Sequence, residues 1–261
     1  MFSLLNDLRS AFARRFYIAL KRASHRMPSQ LIVPARSRVL VIAPHMDDEV
    51  IGCGGTLLLH KALGSVVRVV FVSDSSGGVG DPAIAAGIRA ARHTEMMQVR
   101  AALSLESVSE LGFPDGALIQ HEQAIASRLA SELADFRPAQ VLCPFPLDGH
   151  GDHQATAIAF STAALKAGWR GEVLAYEVWS ALWPNVGIDI GTVAGRKAEL
   201  IGMYASQMGD RDYVSAILGL NRYRGMVHRV AFAEAFHHCS PAQFAELTAC
   251  LDRLDRTSGQ S

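Results

Sequence analysis

The residues of this chain best suited to chemistry form a short ionisable cluster at positions 44–49, which read Pro-His-Met-Asp-Asp-Glu. His45 and Asp48 offer an imidazole nitrogen and a carboxylate oxygen, two donor types that divalent metals accept. Asp47 cannot point the same way as Asp48, because consecutive side chains leave the backbone in different directions. With His45 and Asp48 on a metal, Asp47 is free to face a water. The alternative is that one aspartate only caps a helix N-terminus.

A second cluster occupies residues 148–153, which read Asp-Gly-His-Gly-Asp-His. His150 and His153 lie close together beside acids, a pattern typical of one metal ligand plus one imidazole that acts on the substrate. The alternative is that these histidines and acids are purely structural.

Together the clusters supply His45, Asp48 and His153, two imidazoles and one carboxylate with a fourth position left open. This set is typical of catalytic zinc, and ferrous iron accepts it as well. Zinc lowers the pKa of a bound water from ~15.7 toward ~7. Asp47 would then accept the proton of that water during attack on a carbonyl carbon and pass it to the departing amine. His150 would stabilise the oxyanion.

The elements that must position these side chains alternate between short apolar runs and helical stretches, which predicts a mostly parallel sheet covered by helices on both faces. Polar residues follow the first four predicted strands: His45, Asp74, Asp115 and the cluster at 148–153. Ligands bind beyond the carboxyl ends of parallel strands, so we expect all four loops to meet at one site.

Hydrophobic periodicity sets the expected boundaries. The predicted strands are 38–43, 66–72, 107–111, 140–143, 172–178, 186–190 and 228–236. The predicted helices are 47–63, 84–103, 123–136, 153–167 and 196–207. We expect three regions: an amphipathic basic helical extension at 1–30, a single α/β domain at 31–250, and a frayed tail at 251–261.

Composition narrows the class of protein. Lys plus Arg and Asp plus Glu both number 25, so the formal net charge is zero and gives no electrostatic argument for general nucleic-acid binding, which needs a basic surface. Four widely spaced cysteines without a CxxC pair predict reduced thiols: Cys53, Cys143, Cys239 and Cys250. No apolar run reaches the ~20 residues that span a bilayer, and arginines interrupt any signal-peptide core. We therefore expect a cytoplasmic protein.

Residues 1–27 interleave apolar side chains with arginine and lysine at helical spacing. One interpretation is an anchor for peripheral membrane contact or for a partner. The other, which we favour, is a helix packed on the domain with its arginines in solvent.

At these motifs the sequence resembles the PIG-L/LmbE-like de-N-acetylases, which include N-acetylglucosaminyl-phosphatidylinositol deacetylases, mycothiol and bacillithiol pathway deacetylases and antibiotic-tailoring enzymes. The family signature Pro-His-Pro-Asp-Asp-Glu, followed by Gly-Gly-Thr, stands here as residues 44–49 and 54–56. The second signature, His-x-Asp-His, is residues 150–153. The likeness extends over about residues 36–208 through weaker matches at 92–95, 112–116 and 197–207.

The resemblance implies a Rossmann-like sheet, an N-acetylglucosamine-type substrate that is a small molecule or glycoconjugate, and zinc on the three ligands named above. It gives Asp47 the role of general base and His150 that of oxyanion stabiliser. It also implies that Arg92 and Asp115 contact sugar hydroxyls or neighbouring groups. An ion pair of Arg92 with Glu95 or Asp115 is the alternative.

Met46 is the one departure, because the family usually has proline there. Proline fixes φ, so we expect methionine to keep the spacing but leave a more flexible loop.

Three other functions stay open: an amidase for another acyl amide such as a thiol conjugate or antibiotic, a sugar-binding protein without catalysis, and a nucleotide-dependent enzyme. The last is disfavoured because no GxGxxG follows the first strand. Trp179 and Trp183 either stack on a sugar or pack in the fold.

Overall fold

The structure, a computed structural model, describes residues 30–209 and 211–258, with side chains described up to residue 249. The expected extension at 1–30 thus lies, apart from Gln30, outside the described residues. The strands are β1 (Gln30–Leu31), β2 (Arg38–Ala43), β3 (Val66–Ser73), β4 (Ser107–Phe113), β5 (Gln140–Pro144), β6 (Glu172–Tyr176), β7 (Val186–Asp189) and β8 (Ala233–Cys239). The helices are α1 (Asp48–Ala62), α2 (Pro82–Leu103), α3 (Glu122–Phe136), α4 (Gly151–Lys166), α5 (Ala194–Gly202), α6 (Ala205–Met208), α7 (Tyr213–His228) and α8 (Pro241–Ser258), with a 3₁₀ turn at Leu118–His121.

All eight described strands join one open sheet in the order β1-β7-β8-β6-β5-β2-β3-β4. The pairings are parallel except the two made by β8, which runs antiparallel to both β6 and β7. The predicted single α/β domain with a mostly parallel sheet is confirmed. The antiparallel β8 makes the sheet mixed.

Side chains of the central strand β2 alternate between two hydrophobic cores, one on each face of the sheet. Val39 and Val41 enter the core shared with α1, α2, α5 and α7. Leu40 and Ile42 enter the core shared with α3, α4 and α8. Burial on both faces explains why β2 reads as a continuous apolar run.

The helix that follows β2 is interrupted in its middle. At Cys53 the backbone angles, φ −143° and ψ 20°, are not helical. On the far side of this break, Gly55 and Thr56 donate their backbone N–H groups to the Glu234 carboxylate at 2.7 and 2.8 Å. Glu234 thereby satisfies donors that the interrupted helix leaves without carbonyl partners.

Lys197 completes this junction from the other side of the break. Its Nζ donates to the carbonyl of Ile51 at 2.9 Å, to Glu234 at 2.7 Å and to Asn221 at 3.0 Å. The side chains of Lys197 and Glu234 are fully buried, and an ion pair is tolerated there only when hydrogen bonds satisfy both ends. The junction therefore orients the first turn of α1, which begins at Asp48.

Differences from the sequence-based expectations concentrate beyond residue 190. The predicted strand at 228–236 is wrong at its start, because α7 runs to His228 and β8 begins at Ala233. The buried face of α7 is Ile217, Asn221 and Gly225, of which only one is strongly apolar, so its helical period is hidden.

Three smaller differences concern element ends. The helix predicted at 196–207 is two helices, α5 and α6, separated at Tyr204, whose ψ of 56° is not helical. The last helix, α8, continues to residue 258 where a frayed tail was expected from 251, and its Phe244 is fully buried. A two-residue strand, β1, precedes the first predicted strand and pairs with β7.

Three of the cysteines, Cys53, Cys143 and Cys239, are buried free thiols, as predicted. The side chain of Cys250 lies outside the described part of the chain. Across residues 30–209 and 211–258, the helices are too short or too polar to cross a lipid bilayer.

The Lys197–Glu234 pair gives a test of what holds α1 together. Replacing Lys197 with Met should lower the free energy of unfolding by about 3–5 kcal/mol, because Glu234 would stay buried without its cation. Urea unfolding measures this difference. The double variant Lys197→Met with Glu234→Gln should regain part of the loss.

Arg196→Met is the matched control, since Arg196 lies on the same helix but is exposed and pairs with Glu199 at the surface. Its loss should stay below ~1 kcal/mol. Equal losses for Arg196→Met and Lys197→Met would contradict a supporting role of the buried pair.

Candidate active site

The candidate site lies at the carboxyl edge of the sheet, where the direction of strand order reverses. Strand β2 has β3 on one side and β5 on the other, so the loops that leave β2 and β5 separate and open a crevice. The loop after β2 carries His45, and the loop after β5 carries His150 and His153. The expected meeting of these loops at one site is confirmed.

Asp48 lies between the two imidazoles predicted to share a metal with it. Its Oδ2 is 3.3 Å from His45 Nδ1 and 3.2 Å from His153 Nε2. Two atoms bound to a tetrahedral ion at ~2.0–2.1 Å are themselves about 3.3 Å apart. The ligand atoms of the three residues all lie within 4.8 Å of one another. This donor set therefore fits a tetrahedral divalent ion.

The imidazole of His153 supports this fit. The side chain is fully buried, and among the described residues neither ring nitrogen makes a hydrogen bond of acceptable geometry. Buried polar atoms without partners are rare and need an explanation such as an ion. A metal next to Nε2 would provide the missing partner.

The far nitrogen of each candidate ligand faces a carboxylate. His45 Nε2 is 3.2 Å from Asp115 Oδ1 and 3.2 Å from Asp152 Oδ2, and His153 Nδ1 is 3.4 Å from Asp148 Oδ1. Imidazoles that bind metals almost always direct their other nitrogen to such an acceptor, which orients the ring. No role was predicted for Asp148 and Asp152 from the sequence. Their place in the same six-residue cluster as His150 and His153 could have indicated that they support those histidines.

The pKa shifts of the clustered side chains also favour a site for positive charge. Burial alone would lower the pKa of both imidazoles, but hydrogen bonds to three carboxylates raise the pKa of His45 well above its ordinary value. Asp48 and Asp148 likewise outweigh burial and raise the pKa of His153 to about 9. Burial would raise the pKa of Asp48, but His153 and His45 hold it far below its ordinary range. The carboxylates thus attract positive charge, which either protons or a divalent cation can supply.

Asp47 stands in a strained conformation, with φ 137° and ψ −27°. Such angles are rare outside glycine and concentrate at functional sites. Asp47 occupies the N-cap position of α1, but its carboxylate makes no hydrogen bond to the helix N-terminus, so its side chain does not cap the helix. Its backbone N–H donates to Glu49 at 3.1 Å, and Glu49 in turn accepts from the Tyr204 hydroxyl at 2.5 Å. Burial and the charge of Asp48 raise the pKa of Asp47 well above its ordinary value.

His150 precedes α4, and its Nδ1 accepts the backbone N–H of Asp152 at 3.2 Å. In the neutral ring the proton is therefore on Nε2. Burial lowers the pKa of His150, and repulsion from His45 and His153 lowers it further, which keeps the ring neutral. The ring centroid is 5.0 Å from each of those imidazoles. His150 can thus act as a neutral hydrogen-bond donor.

Met46 is buried and held through its backbone. Its N–H donates to Ser75 Oγ at 3.0 Å, and its carbonyl accepts from Gln207 Nε2 at 2.9 Å. Proline could make the second contact but not the first, because it has no N–H. Hydrogen bonds from two other segments therefore brace a turn that lacks the proline ring.

The cavity at this site has a volume of about 210 Å³. Its walls come from eight separate stretches of the chain. They comprise His45, Asp47, Asp48, Ile51, Gly77, Arg92, Asp115, His150, Val178, Trp179, Gln207 and Tyr213. All predicted catalytic and substrate residues are among them, whereas the ligand His153 lies behind the wall. Of the two tryptophans, Trp179 reaches the cavity and Trp183 lines a different depression.

Arg92 and Asp115, the predicted substrate contacts, also contact the protein. Arg92 donates to the carbonyl of Ser75 at 2.9 Å and lies 3.6 Å from Asp115. Asp115 accepts the N–H of Gly77 at 2.7 Å. The alternative pairing with Glu95 is not formed, because Glu95 accepts from both the N–H and the hydroxyl of Ser206.

A second group within the described residues, His45, His150 and Asp152, also has ligand atoms within 4.8 Å of one another. Both oxygens of Asp152 already accept backbone N–H groups, from Gly116 at 2.7 Å and Leu118 at 3.1 Å. Asp152 is therefore better suited to hold His45 than to bind an ion, and the set around Asp48 fits a metal better.

Two deacetylases are similar in sequence to about half of this chain. Diacetylchitobiose deacetylase of Thermococcus kodakarensis is 31% identical over 121 residues, 45% of each chain. A probable N-acetyl-alpha-D-glucosaminyl L-malate deacetylase 2 of Bacillus cereus is 28% identical over 138 residues, 49% of this chain and 60% of that one. The matched part thus spans about half the length of these curated relatives.

Solved structures share the fold over more of the chain. The conserved protein TT1542 from Thermus thermophilus has a TM-score of 0.67 and 29% identity, covering 77% of this chain and 94% of its own. The N,N'-diacetylchitobiose deacetylase from Pyrococcus horikoshii has a TM-score of 0.65 and 23% identity, covering 78% and 84%. The latter likeness concerns the fold alone.

The model of the PIG-L family, described as GlcNAc-PI de-N-acetylase, matches residues 40–164. This region runs from β2 through α4 and contains both ionisable clusters. Over this region the chain is similar to the PIG-L family.

Proposed function

We propose that this protein is a metal-dependent hydrolase that removes the N-acetyl group from an N-acetylglucosamine-type amino sugar or its conjugate. The observation that carries the proposal is the common cavity of His45, Asp47, Asp48 and His150, with His153 directly behind it. The family match and the two deacetylase relatives support the choice of an acetylated amino sugar.

His45, Asp48 and His153 would hold the ion, with zinc favoured by two imidazoles and one carboxylate, and ferrous iron also compatible. When bound, such an ion supplies Lewis acidity, which polarises a carbonyl and makes an adjacent water more acidic. The carboxylates of Asp148 and Asp152 keep the two imidazoles oriented toward it.

Asp47 is the proposed general base and acid. Its carboxylate accepts a proton from the water whose oxygen attacks the acetamide carbon. It then gives this proton to the amine nitrogen as the carbon–nitrogen bond breaks, so that acetate and the free amino sugar result. The hydrogen bond from its N–H to Glu49 holds Asp47 in the strained conformation.

His150 is the proposed oxyanion stabiliser. The tetrahedral intermediate carries negative charge on the former carbonyl oxygen, and a fixed donor in the cavity wall lowers its energy. A neutral ring with its proton on Nε2 can donate there without losing a proton first. Arg92 and Asp115, also in the wall, are the proposed contacts for sugar hydroxyls.

A release assay for free amine tests the proposal. Zinc-loaded protein is offered N-acetylated monosaccharides, nucleotide sugars and glycolipids, with thiol conjugates and acylated antibiotics as the amidase alternative. We expect turnover of at least one N-acetylglucosamine derivative. Metal-loaded protein that binds such sugars without releasing amine would instead support a binding protein.

The proposed role of His153 as a metal ligand can be tested by its removal. His153→Ala should lose most of the stoichiometric transition metal that purified protein carries, because a two-ligand remnant of the site binds weakly. Elemental analysis measures the content and also separates zinc from iron. His238→Ala is the control, since this half-exposed histidine lies near Glu172 at the opposite edge of the sheet. Equal metal content in both variants would contradict the assigned ligand.

The assigned base gives a different signature. Asp47→Asn should lower kcat by about 10²–10⁴, because the amide cannot accept the proton of the water, while metal content stays unchanged. Asp135→Asn, at an exposed position paired with Arg68, serves as control and should leave kcat unaltered. Full activity of Asp47→Asn would remove Asp47 from the mechanism.

Asp148 is expected to act through His153. Asp148→Asn should weaken metal affinity about 10–100-fold, since the imidazole loses the charged acceptor behind it. Competition with a chromophoric chelator measures the dissociation constant. Asp148→Glu should restore part of the affinity, and an affinity unchanged in Asp148→Asn would show that the carboxylate has no such role.

A further inference from the structure

Helix α7 exposes three large apolar side chains on one side, at positions three and four residues apart. Tyr223 is 57% exposed, Met226 65% and Val227 45%. Trp183 adjoins them, because it lines a first depression of the surface together with Tyr223 and Val227. A second depression contains both Tyr223 and Met226. We call these four residues the α7 patch, since contiguous apolar surface, unlike a single exposed apolar residue, marks a site of contact.

The α7 patch is separate from the candidate active site. Helix α7 begins at Tyr213, which lines the cavity of that site. Residues 223–227 follow Tyr213 by about 10–14 positions, which at ~1.5 Å per residue places them roughly 15–21 Å away along the helix. A contact made by the patch is therefore distinct from binding in the cavity.

Basic side chains lie around the α7 patch. Arg222 and Arg229 are exposed, and His228 lines the first depression. Arg224 lies in the same wall, but it is engaged, because it donates to the Glu177 carboxylate at 2.6 Å. Helix α7 itself contains no acidic residue, and none of the described residues that line either depression is acidic.

Three exposed acidic residues lie on the neighbouring elements β6, β7 and α5, and each has a partner. Glu199 pairs with an arginine of its own helix. Glu172 is two strands away from β7, about 10 Å, and faces His238 at 3.9 Å. Asp189, at the border of the second depression, accepts the N–H of Gly191 at 2.8 Å. The exposed charge of the described residues next to the patch is therefore basic on balance.

Residues 1–27 are joined to the domain at the edge of the α7 patch. The N–H of Gln30 donates to the carbonyl of Asn185 at 3.2 Å, and Asn185 follows Trp183 by two positions in the sequence. The sequence of residues 1–27 interleaves apolar side chains at helical spacing with a single acid, Asp7, and with basic residues. These basic residues are Arg9, Arg14, Arg15, Lys21, Arg22 and Arg26.

Two occupants fit an apolar surface at this place: the apolar side of residues 1–27, or a lipid bilayer. The sequence alone favours the first. The surface beside which these residues join the domain favours the second, because packing there would bring their basic side chains close to Arg222 and Arg229, and like charges repel. A bilayer with anionic headgroups attracts both sets of cations. Tryptophan and tyrosine, both present in the patch, are also enriched where membranes meet water.

We propose that the α7 patch, together with residues 1–27, binds the surface of a bilayer that contains anionic lipid. The apolar side chains of the patch enter the boundary between headgroups and acyl chains, and Arg222 and Arg229 contact lipid phosphates. This contact does not depend on the reaction proposed for the cavity.

Sedimentation of the full-length protein with vesicles tests the proposal. One set of vesicles contains phosphatidylcholine alone, and the other contains phosphatidylcholine mixed with phosphatidylglycerol. The protein should bind the anionic vesicles at least ~10-fold more tightly, because each basic residue near such a surface adds attraction. The difference should shrink as salt is raised, because ions screen the charges. A protein that binds neither set overturns the proposal and supports packing of residues 1–27 on the domain.

Met226→Glu should lower the affinity for anionic vesicles about tenfold, because the patch loses an apolar side chain and gains a charge that the lipid repels. Leu165→Glu is the matched control, since Leu165 is 57% exposed and lies on α4, which covers the opposite face of the sheet. Its binding should equal that of the wild type, and the midpoints of thermal unfolding should show that both variants are folded. Binding of Met226→Glu equal to that of the wild type would remove the α7 patch from the contact.

Tryptophan fluorescence gives a second measurement, because lipids brominated in their acyl chains quench an indole that comes close to them. Anionic vesicles of such lipids should quench the wild-type protein, and Trp183→Phe should lose most of this quenching. Trp169→Phe should keep it, because Trp169 packs against Phe160 beneath the opposite face of the sheet. Quenching that persists in Trp183→Phe would show that the patch does not face the bilayer.

Discussion

The contacts of the Asp48 carboxylate with His45 and His153 are the interactions on which the geometry of the rest of the site depends. One oxygen accepts the backbone N–H of His45 at 2.9 Å and faces an imidazole nitrogen of both His45 and His153. The turn after β2 and the start of α4 are thereby drawn to the same point. Because Asp48 begins α1, anything that shifts this helix shifts the point itself. The buried Lys197–Glu234 junction in the middle of α1 is therefore as much a part of the site as the ligands.

Two aspartates, Asp148 and Asp152, orient the imidazoles of His153 and His45 and also hold neighbouring loops. Asp152 faces His45 and also accepts two backbone N–H groups from the loop after β4. Asp148 faces His153 and holds the loop that carries Trp179. Each carboxylate thus ties a candidate metal ligand to a loop of the cavity wall. A change in either loop should therefore alter the position of the imidazole that shares its anchoring carboxylate.

Much of the sheet and of the site could be predicted from the sequence, because both have strong local signals. The buried run 38–43 predicted β2 correctly, and the two clusters lie together as expected. The sequence left open whether an aspartate caps α1, since only the folded turn shows that the Asp47 side chain makes no capping bond and that its backbone is strained. Helix α7 was missed because Asn221 and Gly225 fill its buried face. The partnership of Lys197 with Glu234 joins residues far apart in sequence, so no local pattern could reveal it.

The bond between Met46 and Ser75 has a consequence for how this protein can diverge from its relatives. Methionine brings an N–H that the hydroxyl of Ser75 accepts, and the two residues now form a matched pair in the buried turn. Proline at position 46 would remove this N–H and leave the Ser75 hydroxyl facing a ring carbon. An exchange at position 46 therefore disturbs position 75 as well, so the two positions are coupled in any divergence of this turn.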